Sequence, residues 1–265
     1  MPVLLVIPAR YASSRYPGKP LAPLRGATGE ARSLIRRSWD AAREVPGVDR
    51  VVIATDDARI AAAAEAFGAE VAMTPEACRN GTERCAAVSR AFGPGWDVVV
   101  NFQGDAPLTP PWFVGALIEA LAADPDCMVA TPVLRCDAAA LEGFLEDRRN
   151  GRVGGTTAVF DRAGRALYFS KEVIPYTGGA AGGADIPVFH HVGVYAFRRE
   201  PLLGYAAWNE GPLETWEGLE QLRFMENGLP VRCIEVEARG RAFWELNNPA
   251  DVVRIEAILA EQGVP

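Results

Sequence analysis

The chain has 265 residues, 49% of them hydrophobic and 23% charged, with a net charge of -7 and a pI of about 5.1. That length and composition suit a compact α/β protein whose core needs no disulfide or metal staple, and the acidic balance excludes the broad basic footprint of a nucleic-acid binder. No run approaches the roughly 20 apolar residues of a membrane span, and the opening "MPVLLVIPAR" lacks the basic start and long apolar stretch of a secretory signal.

Five cysteines (Cys78, Cys85, Cys127, Cys136, Cys233) lie far apart, without CxxC or zinc spacing. They predict reduced thiols and, with no signal or span, a cytoplasmic protein; the acidic balance and short apolar runs predict no nucleic-acid or membrane partner.

In chain order, "VLLVI" (3–7), "RVVIAT" (50–55), "EVAM" (70–73) and "DVVVNF" (97–102) read as short strands apolar on both faces. Between them, 57–67 places Ile60, Ala63, Ala64 and Phe67 on one helical face, with Asp56 or Asp57 as N-cap. Residues 111–122 repeat that pattern with Phe113, Ala116, Leu117, Ala120 and Leu121. Such alternation predicts a mostly parallel, doubly wound sheet.

The middle is strand-like with few helices: 127–134, 156–161, 165–170 and a single run "HHVGVYAFRR" over 190–199. The glycine-rich stretch 176–185 reads as a loop. A helix over 214–226, a strand over 231–237 and a helix over 249–262 close the chain, the last started by Asn248 as N-cap and Pro249.

The loop after the first strand, "RYASSRYPGKPLAPL" (10–24), gathers Arg10, Arg15 and Lys19 among Ser, Gly and Pro. In an open parallel sheet this edge binds ligands. Three cations there point to a small anionic ligand such as a polyphosphate, against the bland reading of a solvated charged loop. It is not a Walker loop, since Gly18-Lys19 is followed by Pro20, and the GxGxxG fingerprint is missing.

The string "IPARYASSRYPGKPLAPL" resembles the N-terminal signature of the cytidylyltransferases that activate 3-deoxy-manno-octulosonate (Kdo) as its CMP derivative; CMP-sialic acid synthetases carry related loops. Six further blocks match in order: "VVIATDDARI" (51–60), "NGTERCA" (80–86), "VNFQGDAPL" (100–108), "ALYFSKEVIPY" (166–176), "HHVGVYAFR" (190–198) and "GLEQLRFMENG" (218–228). The resemblance covers nearly all of the chain. It implies a Rossmann-like nucleotide-diphospho-sugar transferase fold, one domain over 1–265 with a strand-rich dimerisation subdomain at roughly 130–200, and a homodimer.

Position by position, the resemblance implies that Ala9, Arg10, Ser13, Arg15, Lys19, Asn80, Gly81, Arg84 and Gln103 bind the nucleotide CTP. Gln103, Lys171, His191, Tyr195, Glu220 and Gln221 would bind the sugar acid. Lys19, Arg15 and Asp105 would act in catalysis, with Mg²⁺ held by Asp105 and Asn247. Lys19 suits charge building on the α-phosphate, and Mg²⁺ prefers one or two carboxylates plus phosphate oxygens and water. His190 and His191 alternate across a strand, so one can line a pocket while the other packs or faces solvent.

Three departures stand on the sugar and metal side. The string "ELNNPAD" puts Asn247 where the family has Asp, with Glu245 close by to compensate; "YFSK" has Lys171 where Arg is usual; and "NGRVGGTTAV" replaces a "NPNxVK" block. The expected reaction is CMP transfer from CTP to a sugar-acid hydroxyl with release of pyrophosphate. Other anionic acceptors (amino-Kdo, another 3-deoxy-2-keto acid, a phosphonate) and a non-catalytic nucleotide-binding relative stand as alternatives. Transfer to a sugar phosphate is disfavoured, because the "GGxGxRL"-like opening of those enzymes is missing.

Overall fold

The computed structural model describes residues 1–12, 16–153, 155–178 and 186–265. Strands and helices alternate through the first half: β1 (Val3–Ala9), a hairpin of β2 (Pro23–Arg25) and β3 (Ala31–Ser33), α1 (Leu34–Arg43), β4 (Arg50–Thr55), α2 (Ala58–Ala66), β5 (Glu70–Met73), α3 (Gly81–Phe92), β6 (Val98–Asn101) and α4 (Pro111–Ala123). Then come β7 (Val129–Arg135), α5 (Ala138–Arg149), β8 (Thr156–Phe160), β9 (Ala166–Ser170), β10 (Phe189–His191), β11 (Tyr195–Arg198) and α6 (Arg199–Tyr205). The chain closes with α7 (Pro212–Glu217), α8 (Leu222–Glu226), β12 (Arg232–Glu235) and α9 (Asp251–Glu261).

One ten-stranded sheet runs in the order β5-β4-β1-β6-β11-β7-β10-β8-β9, with β12 beside β7. β5, β4, β1 and β6 are parallel neighbours, as are β7 and β12. Among the ten, β11, β10 and β9 run against the rest. The strands of the 130–200 stretch continue this sheet.

Period-two alternation sorts β1 between two cores. Val3, Leu5 and Ile7 pack with Ile60 of α2 and with Phe113, Leu117 and Leu121 of α4. Leu4 and Val6 pack on the other face with Val88 of α3 and Leu202 of α6. Burying each such side chain stabilises by about 1.5–3 kcal/mol, which is why the run is apolar at every position. Helices on both faces give the doubly wound, Rossmann-like arrangement expected. A third core joins Leu24 and Leu34 to Ile255, Ile258 and Leu259, so α9 returns to the β2–β3 hairpin near the first loop.

Four expectations are corrected. The run 190–199 is two strands, because the chain breaks at 192–194: His191 pairs with Val133 and Thr156, whereas Tyr195 pairs with Asn101. The helix expected over 214–226 is split into α7 and α8 by Gly218, whose φ of 60 is left-handed and ends the first piece. The middle is less helix-poor than expected, since α5 starts where Asp137 accepts a hydrogen bond from the Ala140 N–H (2.7 Å).

Finally, Asn248 is not the N-cap of the last helix. That helix begins at Asp251, whose carboxylate turns back to accept from the N–H groups of Asn247 (2.9 Å) and Asn248 (2.6 Å). Of the two candidate caps for α2, Asp57 does the capping, accepting from Arg59 and Ile60 N–H. Most of the expected loop 176–185, residues 179–185, lies outside the described residues.

Candidate active site

The cleft opens at the carboxyl ends of β1 and β6, the edge where ligands bind in an open α/β sheet. After β1 the chain leaves through Arg10; Ser13 and Arg15 lie outside the described residues. The loop closes where the Gly18 N–H donates to the Tyr11 carbonyl (3.0 Å). Gly18 adopts φ 71 against the Tyr11 ring, where a Cβ would sit 3.0 Å from the ring, so only glycine fits without strain.

Lys19 then opens a short 3₁₀ turn and places Nζ 2.6 Å from Asp105 Oδ2. Asp105 arrives from the loop after β6. Gly104 allows that approach, because a Cβ there would meet the Pro8 carbonyl oxygen at 2.6 Å. The Leu246 N–H donates to the Asp105 carbonyl (2.9 Å), which lays the stretch carrying Glu245 and Asn247 alongside.

Beyond Lys19, the N-terminus of α3 forms a second wall. Asn80 caps it, accepting from the Glu83 N–H (2.9 Å) while its amide donates to the Tyr205 hydroxyl (2.7 Å). The Thr82 N–H donates to Glu220 Oε2 (3.1 Å), and Gln103 Nε2 donates to Glu220 Oε1 (3.2 Å). Burial raises the Glu220 carboxyl above the usual range, and these two donors oppose the rise. Arg84 is 3% exposed and held by Asp56 (2.9 Å) and by the Thr74 hydroxyl. It shapes the wall through these partners.

Behind that wall, Arg223 is fully buried between Glu83 (2.8 Å) and Glu214 (2.6 Å), with its guanidinium over the Tyr205 ring. A buried cation needs this much pairing, and the network ties α8 and α7 to the α3 N-terminus.

At the far end, the Tyr195 hydroxyl donates to Gln221 Oε1 (3.0 Å), and burial pushes the Tyr195 phenol up. Glu217 accepts from the Ser170 hydroxyl (2.7 Å) and the Lys171 N–H (2.8 Å), pinning the end of β9 to α7. His191 stands between the hydroxyls of Thr131 and Thr156, each 3.0 Å from a ring nitrogen. Burial lowers His191 to about 3 and His190 to about 4, with Arg148 adding to the fall at His190. Both rings border the cleft, and His190 also packs edge-on against Phe144.

The structure therefore gathers the expected residues that it describes around one cavity of about 1400 Å³. Ala9, Arg10, Lys19, Asn80, Gly81, Arg84, Gln103, Asp105, Lys171, His191, Tyr195, Glu220, Gln221 and Asn247 all line it. Sequence reading missed the residues that hold these in place: Thr82, Thr131, Thr156, Glu217, Arg223 and Asp251. Thr82, Thr156, Arg223 and Asp251 lie inside the matching or departing strings, which mark them without giving them a partner; Thr131 and Glu217 carry no signal until their partners are in space.

Asp105, Glu245 and Asn247 line the same cavity, and their side-chain oxygens are of the kind magnesium takes. Asp105 supplies a carboxylate, Asn247 an amide oxygen, and Glu245 lies within 3.4 Å of the Asn247 amide nitrogen. Among the described residues no group of three or more His, Cys, Asp or Glu is gathered for a metal.

A cavity at this sheet edge that holds a lysine–aspartate pair suits an anionic ligand, and similarity to known proteins gives the class. Residues 4–234 match the family described as cytidylyltransferase, and the chain belongs to that family. Among its relatives are proteins named 3-deoxy-manno-octulosonate cytidylyltransferase. The one from Maricaulis maris is 47% identical over 263 residues, covering 99% of each chain, and the one from Chlamydia pneumoniae is 39% identical, covering 95% of this chain and 91% of its own.

Among solved structures, CMP:2-keto-3-deoxy-manno-octonic acid synthetase complexed with CTP superposes with a TM-score of 0.84 at 33% identity, over 99% of this chain and 100% of that one. A 4-diphosphocytidyl-2C-methyl-D-erythritol synthase from Anaerococcus prevotii shares the fold (TM-score 0.58, 14% identity, 97% of this chain and 96% of that one). No helix among the described residues is long and apolar enough to cross a membrane.

Proposed function

We propose that this cytidylyltransferase moves CMP from CTP to the anomeric 2-hydroxyl of Kdo and releases pyrophosphate. The observation that carries the reading is the Lys19–Asp105 pair in a cavity that Asn80, Gln103, Lys171, Tyr195 and Gln221 also line. Transfer of this kind proceeds by in-line attack on the α-phosphorus and depends on positioning and charge neutralisation.

Lys19 supplies a cation to the α-phosphate and the departing pyrophosphate, joined by Arg10 on the same loop. The α3 N-terminus and Gln103 orient the nucleotide. Lys171 offers an ammonium to the carboxylate of the sugar acid. Magnesium brought with the nucleotide, held by Asp105 and Asn247, would supply further neutralisation at the phosphates.

The same reading has the protein acting as a cytoplasmic homodimer. Five unpaired thiols suit a reducing compartment, and Leu167 and Tyr176, 62% and 92% exposed, suit a contact face in the 130–200 stretch. Sedimentation equilibrium tests the dimer.

Pyrophosphate release with CTP, Mg²⁺ and a panel of sugar acids tests the reaction, with Kdo expected to give the highest kcat/KM. Preference for an amino-sugar acid or a phosphonate would replace the acceptor. Binding of CTP without release for any acceptor would replace the enzyme with a nucleotide-binding relative.

A further inference from the structure

His191 is 5% exposed, and both its ring nitrogens meet a threonine hydroxyl at 3.0 Å, Nε2 that of Thr131 and Nδ1 that of Thr156. Counting protons fixes the direction of both bonds. A threonine hydroxyl has one proton to donate. Thr131 Oγ1 also stands 2.8 Å from the Val194 carbonyl oxygen and 3.2 Å from that of Val192, in a fully buried position.

Two acceptor oxygens so close in a dry site need a proton between them. Thr131 therefore donates to Val194, and its oxygen accepts from His191. That makes Nε2 the protonated nitrogen and leaves the Nδ1 lone pair facing Thr156, which must donate to it. Register supports the arrangement, since His191 lies directly opposite Thr156 across the β8–β10 ladder.

The consequence falls on Thr156, which lines the cleft. Its proton is committed to the histidine, so its oxygen turns only lone pairs toward a ligand. We propose that Thr156 determines acceptor specificity by accepting a hydrogen bond from a hydroxyl of the sugar acid, with His191 as the positioning residue that orients it. This rests on the acceptor reading above and deepens it. A carboxylate or phosphoryl oxygen is rejected at this spot, because lone pairs would face lone pairs, and the ligand's carboxylate is directed toward Lys171 instead. The break between β10 and β11 has a role here, as it turns the Val192 and Val194 carbonyls onto Thr131.

Steady-state kinetics of Thr156→Val and Thr156→Ser test this at saturating CTP. Valine keeps the β-branched shape and removes the acceptor oxygen; the KM for the sugar acid is expected to rise about tenfold. The KM for CTP and kcat should stay within about twofold, and serine should restore the acceptor KM. Histidine ¹⁵N spectra, assigned with His190→Gln, should show Nε2 of His191 protonated and Nδ1 bare.

An unchanged acceptor KM in the valine variant, failure of serine to restore it, or a protonated Nδ1 would each overturn the assignment. If the unaltered protein turns over no sugar acid, the proposed function itself falls. If it turns over Kdo and the valine variant is unaffected, only the role of Thr156 falls.

Discussion

Lys19 and Asp105 meet from loops 86 positions apart, and their side chains stay 13% and 29% exposed. A partly solvated pair of this kind contributes about 0–1 kcal/mol to stability, so its value lies in chemistry. Lys19→Ala and Asp105→Ala should each lower CMP transfer by about 100-fold or more while shifting the unfolding free energy by no more than about 1 kcal/mol. Pyrophosphate release and denaturant unfolding on the same preparations check this. A variant with near-normal turnover would remove its residue from the mechanism. Both residues stood out in the sequence, because cations after a first strand and an aspartate in "QGDAP" after another are legible as a pattern. Thr131 and Thr156 did not, since a hydroxyl acquires direction only from the histidine and carbonyls packed around it.

At the scale of elements, the site depends on how closely strand ends approach. Gly104 lets the loop after β6 lie against the end of β1, with room for no side chain before the Pro8 carbonyl. Gly104→Ala is expected to force these segments apart, destabilising the protein by about 1–3 kcal/mol and separating Asp105 from Lys19. The combined loss of midpoint in denaturant and of kcat checks it, and a variant with wild-type kcat would show that the spacing is not critical. The strands β1, β4, β5 and β6 and the helices α2 and α4 were readable because apolar runs and helical spacing are local signals, whereas the short β2–β3 hairpin, α1 and α3 were not read. The break at 192–194 was not, because "HHVGVYAF" is compatible with a continuous strand and only pairing to two different neighbours interrupts it. Nor was the role of Asp251, whose carboxylate reaches back to order the stretch holding Asn247.

For the whole molecule, pH acts through the buried His191 and the half-buried His190. Their folded values, about 4 for His190 and about 3 for His191, lie below the ordinary 6.5 because burial disfavours the charged ring. Below pH 6.5 the unfolded chain therefore binds protons that the folded chain does not. Stability is full above that value and falls as the pH drops toward 4, by about 2 kcal/mol for each histidine at pH 5. Glu220, raised by burial, acts with the opposite sign and offsets part of the loss. Unfolding in denaturant at pH 7 and pH 5 measures the difference, and an equal or higher stability at pH 5 would contradict buried neutral rings.

The fold class, the cation-bearing loop after the first strand and the family were legible in the sequence, since periodicity, loop composition and ordered motifs are written in consecutive residues. Which groups hold the site residues, and in which direction their hydrogen bonds run, followed from the packing alone. Arg223 is neutralised by carboxylates from two other helices, Glu217 clamps a strand far from it in the chain, and the His191 tautomer is set by a proton count over three strands and a break between two of them. Those partners are brought together by burial, which makes every unpaired polar atom costly, and no local pattern in the chain encodes that constraint.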